Sequence, residues 1–115
     1  MRLHVFFAML MIATPAIART AFLSGAQLRS TFAGRTITGT EDGARYQEKL
    51  LANGSIQGRS STEKDYVGEW EVDGDEICFY YDDEDNEDDC SRVILNGSTV
   101  TFVDEDGSSS RASLK

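Results

Sequence analysis

The densest chemistry in the sequence is a run of carboxylates. From Asp82 to Asp89, seven of eight residues are acidic and only Asn86 is not. Oxygen-rich loops suit hard cations such as calcium. Asp83, Asp85 and Glu87 alternate in a way that makes them the candidate metal ligands. The EF-hand spacing is not met, because the glycine that makes its sharp turn is missing. The plainer expectation is a solvated hairpin tip, whose like charges repel one another and deter edge-to-edge aggregation. A second acidic stretch, Asp104-Glu105-Asp106-Gly107, reads more simply as a turn.

The two cysteines, Cys78 and Cys90, are the other reactive pair. Their redox state depends on compartment, and the first eighteen residues bear on that. Arg2 gives a positive start, Val5 to Ala13 is an unbroken apolar run, Pro15 breaks it, and Ala16-Ile17-Ala18 has the form of a cleavage site. Nine apolar residues fall short of the ~20 a membrane-spanning helix needs. The expected mature chain is therefore residues 19–115, exported to the periplasm or secreted, without a membrane anchor. In that setting an even cysteine count predicts a Cys78–Cys90 disulfide.

Removing the first eighteen residues removes His4, Pro15 and all three methionines. What remains carries ten basic against twenty acidic side chains, a net charge of −10. That balance argues against nucleic acid and anionic lipid as partners. The remaining chain has no His to act as a base and, with the disulfide formed, no free thiol. It has no Gly-x-Ser-x-Gly elbow and no phosphate-cradling glycine loop before a helix. The expectation is a protein that is not an enzyme and needs no cofactor.

The elements that position these groups can be read next. Ser24 with Gln27 fits a capping box, Leu28 and Phe32 share one helix face, and Gly34 is a natural stop. A short helix is expected there. From Arg35 onward, runs rich in Thr, Val, Ile and aromatics alternate with Asp-Gly and Asn-Gly turn signals. Strands are expected near 35–40, 44–52, 55–60, 66–72, 75–81, 90–95, 98–103 and 108–114. The fold class is mainly β: an antiparallel meander of about seven or eight short strands, forming an open or incomplete barrel in a single domain.

Three clues fix the register of the second half. A two-residue turn at Asp73-Gly74 pairs Trp70 with Ile77. A disulfide between opposed residues pairs Cys78 with Cys90, and a turn at Asn96-Gly97 pairs Val93 with Val100. Opposed residues share a face. One face then collects Trp70, Ile77, Phe79, Val93, Val100 and Phe102 as core, with Val72, Tyr81 and Leu95 beside them. The other collects the cysteines, Tyr80 and most of the charge. Trp70 is expected as the core anchor. The turn at Asn53-Gly54 does not decide which face of the preceding strand is buried.

The stretches LSGAQLRSTFAGRTITGT, GEWEVDGDEICFYY, CSRVILNG and VTFVDEDG resemble an uncharacterised family of small secreted alphaproteobacterial proteins. The strongest element is Gly68, Trp70, Val72, Gly74 and Asp75 ahead of Cys78 and then Cys90. The resemblance implies a periplasmic, disulfide-stapled β domain and nothing catalytic. The functional expectation is a non-enzymatic binding or interaction module whose curled sheet takes a protein or a small apolar ligand. One alternative is a small protease inhibitor that inserts its mature N-terminus, Arg19-Thr20-Ala21-Phe22. The other is an acidic calcium-binding envelope protein.

Overall fold

The computed structural model describes residues 21–62, 64–82 and 89–115. The expected export signal, residues 1–18, and the candidate calcium ligands Asp83, Asp85 and Glu87 lie outside the described residues.

One helix precedes eight strands. Helix α1, Gly25–Phe32, begins on the capping box: Ser24 Oγ accepts from the Gln27 N–H, and Gln27 Oε1 accepts from the Ser24 N–H. Asp75, in a distant turn, accepts from the Gly25 N–H at 2.8 Å and so ties the helix start to the sheet. An acidic group also complements the positive end of the helix dipole. Leu28 and Phe32 are fully buried.

The strands are β1 Thr36–Glu41, β2 Ala44–Leu50, β3 Ser55–Ser60, β4 Tyr66–Asp73, β5 Glu76–Tyr81, β6 Asp89–Asn96, β7 Thr99–Val103 and β8 Ser109–Leu114. Each pairs antiparallel with the next, and β8 pairs back onto β1 through Ile37–Leu114 and Gly39–Ala112. The sheet is thus a closed barrel rather than the open or incomplete one expected. Closure pairs the edges of β1 and β8, which an open meander would leave as unpaired backbone.

The register differs from expectation in a regular way. Val72 pairs with Ile77 and Trp70 with Phe79, so the β4–β5 turn is Gly74-Asp75, one residue later than Asp73-Gly74. Leu95 pairs with Val100 and Val93 with Phe102, so the β6–β7 turn is likewise Gly97-Ser98. In both, the glycine leads and has positive φ, 59° and 61°. That is the hairpin form in which only the first central residue needs the left-handed region. The shift also frees Asp75 to cap α1. Each pairing moves by two positions in register sum, so the inward and outward faces are unchanged. Cys78 stands directly opposite Cys90, and the two are joined in a disulfide.

The core fills one half of the barrel. Trp70, Ile77, Phe79, Val93, Val100 and Phe102 all lie at 8% exposure or less. Phe79 meets Phe102 edge to face at 5.8 Å, and Phe32 of α1 reaches Phe102 at 6.4 Å. The helix therefore closes one end of the barrel. Trp70 gives its indole N–H to the Leu51 carbonyl at 2.8 Å, so its burial leaves no polar atom unmet. Leu50 pairs with Ile56, both buried, and the β2–β3 connection is longer than a two-residue turn. That resolves the face of β2 which Asn53-Gly54 left open.

Candidate functional site

In an up-and-down barrel alternate connections gather at opposite ends. Helix α1 packs on β4 and β5 beside their turn and covers one end. The other end receives the β1–β2 turn, the β3–β4 connection, the last residues of β5, the first of β6, and the β7–β8 turn. Strand β2 runs from this end inward. Its alternation directs Ala44, Tyr46, Glu48 and Leu50 to the interior, while Arg45, Gln47 and Lys49 are exposed. Along one strand the interior thus changes from aromatic to acidic to apolar.

Glu48 is a buried carboxylate, 6% exposed, one step above Leu50. Tyr81 Oη donates to Glu48 Oε1 at 2.6 Å, and Tyr66 Oη donates to the same oxygen at 2.8 Å. Both phenols are neutral donors, so they orient the carboxylate without cancelling its charge. The two rings meet edge to face with centroids 6.0 Å apart.

Room for the three rings comes from three glycines. Gly39 stands opposite Tyr46 in the β1–β2 ladder, Gly58 opposite Tyr66 in β3–β4, and Gly68 opposite Tyr81 in β4–β5. A Cβ on Gly39 would lie 2.5 Å from the Tyr46 hydroxyl. One on Gly58 would strike the Tyr66 ring, and one on Gly68 would come within 2.9 Å of the Tyr81 ring. A glycine inside a strand weakens it unless a neighbour approaches closely, and here a ring does.

The environment keeps these tyrosines protonated. Burial, and then the charges of Glu48 and Glu41, push Tyr46 up to about 12. Burial, the Glu48 charge and the bond to Glu48 also raise Tyr66 and Tyr81 above the ordinary phenol value. In each case desolvation is the largest cause.

Two cavities meet at this group. One of about 380 Å³ lies between the β1–β2 turn and the β3–β4 connection, against Ala44, Tyr66 and Thr62. The other, of about 260 Å³, runs toward Ile37, Phe79 and Arg111. Glu41, Tyr46, Glu48 and Tyr81 wall both. The lining is acidic and aromatic, so it is more polar than the apolar cup the sequence suggests. At the rim of the smaller cavity, buried Ser91 donates to Asp104 at 2.7 Å. Ser108 donates to Asp104 and Asp106, shaping the β7–β8 turn and holding the Asp106 carboxyl below its usual range.

The residues named from sequence fall elsewhere. The disulfide lies on the outward side of β5 and β6, with Ile77 and Phe79 pointing in, although Cys78 is itself fully buried. Tyr80, beside it, donates to Glu71 at 2.7 Å. Just ahead of α1, Phe22 lies under the Arg92 guanidinium, 3.7 Å from ring centroid to Cζ, and the Leu23 N–H bonds the Val93 carbonyl at 2.8 Å. Among the described residues no group of three or more His, Cys, Asp or Glu side chains is placed to hold a metal ion, and no helix is long and apolar enough to cross a membrane.

Sequence reasoning placed Tyr81 on the inner face but did not single out Glu48, Tyr46 or Tyr66. The signal lay in the Asp42-Gly43 turn, which pairs Gly39 with Tyr46 and turns Glu48 inward with it. Comparison of the chain with family models, with curated proteins and with solved structures finds no match. Its class is therefore set by its own geometry: a closed, eight-stranded up-and-down barrel, covered by a helix at one end and, among the described residues, hollowed by two cavities at the other.

Proposed function

We propose that this protein is a non-enzymatic binding module that works outside the cytoplasm and takes its ligand at the open end of the barrel. The observation that carries the reading is the Glu48 carboxylate, held by Tyr66 and Tyr81 at the wall of two adjoining cavities. Eight-stranded barrels have interiors wide enough either to fill with side chains or to hold one small ligand. This barrel does the first at the α1 end and leaves space at the other. A concave site with a few convergent polar groups among aromatic walls is the usual form of a ligand pocket. Export is supported by the signal-like first eighteen residues and by the disulfide. An inhibitor that inserts its N-terminus is less well supported, because Phe22 and Leu23 are engaged with β6.

The test is a small-molecule fragment library screened by ligand-observed NMR against the wild-type protein and against Ala44→Phe. Ala44 lines the larger cavity near the β1–β2 turn, away from the core, so a phenyl group there fills the mouth without disturbing the fold. Fragments should bind the wild type and lose binding to the variant. Fragments that bind both proteins equally would place the ligand site elsewhere.

A further inference from the structure

We infer that the barrel mouth is a cage for an organic ammonium group, with Glu48 as counter-charge and Tyr46, Tyr66 and Tyr81 as aromatic walls. This rests on the mouth being the ligand site and names what that site selects. The first argument is charge. A carboxylate at 6% exposure that accepts from two neutral phenols carries its negative charge at the wall of a partly desolvated space, where solvent screens it less than at the surface. Glu41 and Asp42, on the wall of the larger cavity, add to it. The second argument is the rings. The faces of tyrosines attract cations, and aromatic cages recognise alkylated ammonium groups. A phenol that donates its proton to a carboxylate holds more electron density on its ring, which strengthens that attraction.

The third argument separates an organic cation from a metal ion. Hard cations require several oxygen ligands converging at short range, whereas among the described residues the acids of this mouth are not placed to hold a metal ion and three aromatic rings flank Glu48. The dehydrated surface of an alkylammonium fits that mixture of charge and hydrocarbon. Arg111 lines the smaller cavity on the β8 side, so the cation is placed in the larger one, between Tyr46 and Tyr66. A volume of about 380 Å³ accommodates a group the size of choline or butylammonium.

The experiment is calorimetric titration of the full mature chain with choline, butylammonium and Nα-acetyl-lysine methylamide. The neutral isostere 3,3-dimethyl-1-butanol and butyrate serve as controls. Choline or butylammonium should bind at least about tenfold more tightly than the neutral isostere, and butyrate should not bind. Glu48→Gln keeps an oxygen that accepts from both phenols while removing the charge, and it should weaken ammonium binding about tenfold. Tyr46→Leu, which leaves the Tyr66–Glu48–Tyr81 bonds intact, should weaken it several-fold and provides a second variant should Glu48→Gln fail to fold. Tighter binding of any ammonium arm than of the neutral isostere supports the chemistry, and the tightest arm distinguishes a free small amine from a lysine side chain. Equal binding of 3,3-dimethyl-1-butanol would overturn the ammonium assignment while leaving the mouth as a binding site. If no arm bound and no library fragment lost binding to Ala44→Phe, both readings would fall.

Discussion

Tyr66 stands directly opposite Gly58 in the β3–β4 ladder, and its ring fills the space that any Cβ on Gly58 would need. The same ring carries the hydroxyl that bonds Glu48 at 2.8 Å. Backbone identity on one strand thus decides where a carboxylate on another is held. Gly58→Ala should cost about 1–3 kcal/mol by forcing that ring aside. In a Tyr66→Leu background the penalty should largely disappear, because the ring is gone and alanine lowers the entropy of the unfolded chain. Urea denaturation of the four proteins in this cycle checks the coupling. Additive penalties would mean that the two residues do not share the space.

Trp70 links the core to the β2–β3 connection through its indole N–H and the Leu51 carbonyl. Trp70→Ala should cost about 3–5 kcal/mol, close to the whole stability of a domain this small. Trp70→Phe keeps most of the apolar contact and loses one hydrogen bond, while the Leu51 carbonyl still accepts from the Gly54 N–H, so about 1–2 kcal/mol is expected from the lost bond and the smaller ring. A thermal midpoint for Trp70→Ala within a degree or two of the wild type would contradict the inward placement of this strand face.

The tyrosine cluster predicts alkaline sensitivity with a definite sign. Folding raises these phenol pKa values, so the folded state holds its protons more tightly than the unfolded chain. The stabilisation is complete below the ordinary phenol value of 10.0 and is lost as pH rises, for Tyr46 between 10.0 and about 12. Tyr66 and Tyr81 extend the loss to still higher pH. Spectrophotometric titration near 295 nm should give the same amplitude up to about pH 11 for wild type and for Tyr66→Phe/Tyr81→Phe, with both folded by circular dichroism. A smaller amplitude in the double variant would show that these phenols ionise in the folded protein.

Closing a loop with a sequence separation of 12, the Cys78–Cys90 bridge should contribute about 3 kcal/mol in the chain-entropy account. Replacing both cysteines by alanine should lower the urea midpoint by the corresponding amount, and reducing the wild type should lower it similarly. An unchanged midpoint after clean reduction would remove the bridge from the stability of the barrel.

The strand framework was legible because its signals are local. Turn glycines, alternation and a disulfide between opposed residues all constrain parity, and parity survives the two-position shift at Gly74 and Gly97. Closure was not legible, because the β1–β8 seam joins residues such as Ile37 and Leu114 that are remote in sequence. Glu48 was missed for a related reason. A charged residue in a strand reads as outward, and it takes the Gly39–Tyr46 and Leu50–Ile56 pairings together to show that its face turns in. Gly39 opposite Tyr46 follows from a two-residue turn, but Gly58 opposite Tyr66 depends on a longer connection whose geometry no short motif specifies.

The sequence contains four tyrosines, three of which wall the mouth while Tyr80 lies on the outward side of β5 beside Cys78. That arrangement supplies an internal control for the central claim. The direct measurement is a carbon-detected NMR titration of the ring-labelled tyrosines of the protein with choline. The account predicts that the ring signals of Tyr46, Tyr66 and Tyr81 shift together and saturate, that Tyr80 stays still, and that Glu48→Gln weakens the response. Signals that remain fixed at all four rings, or a shift confined to Tyr80, would contradict an ammonium site at the barrel mouth.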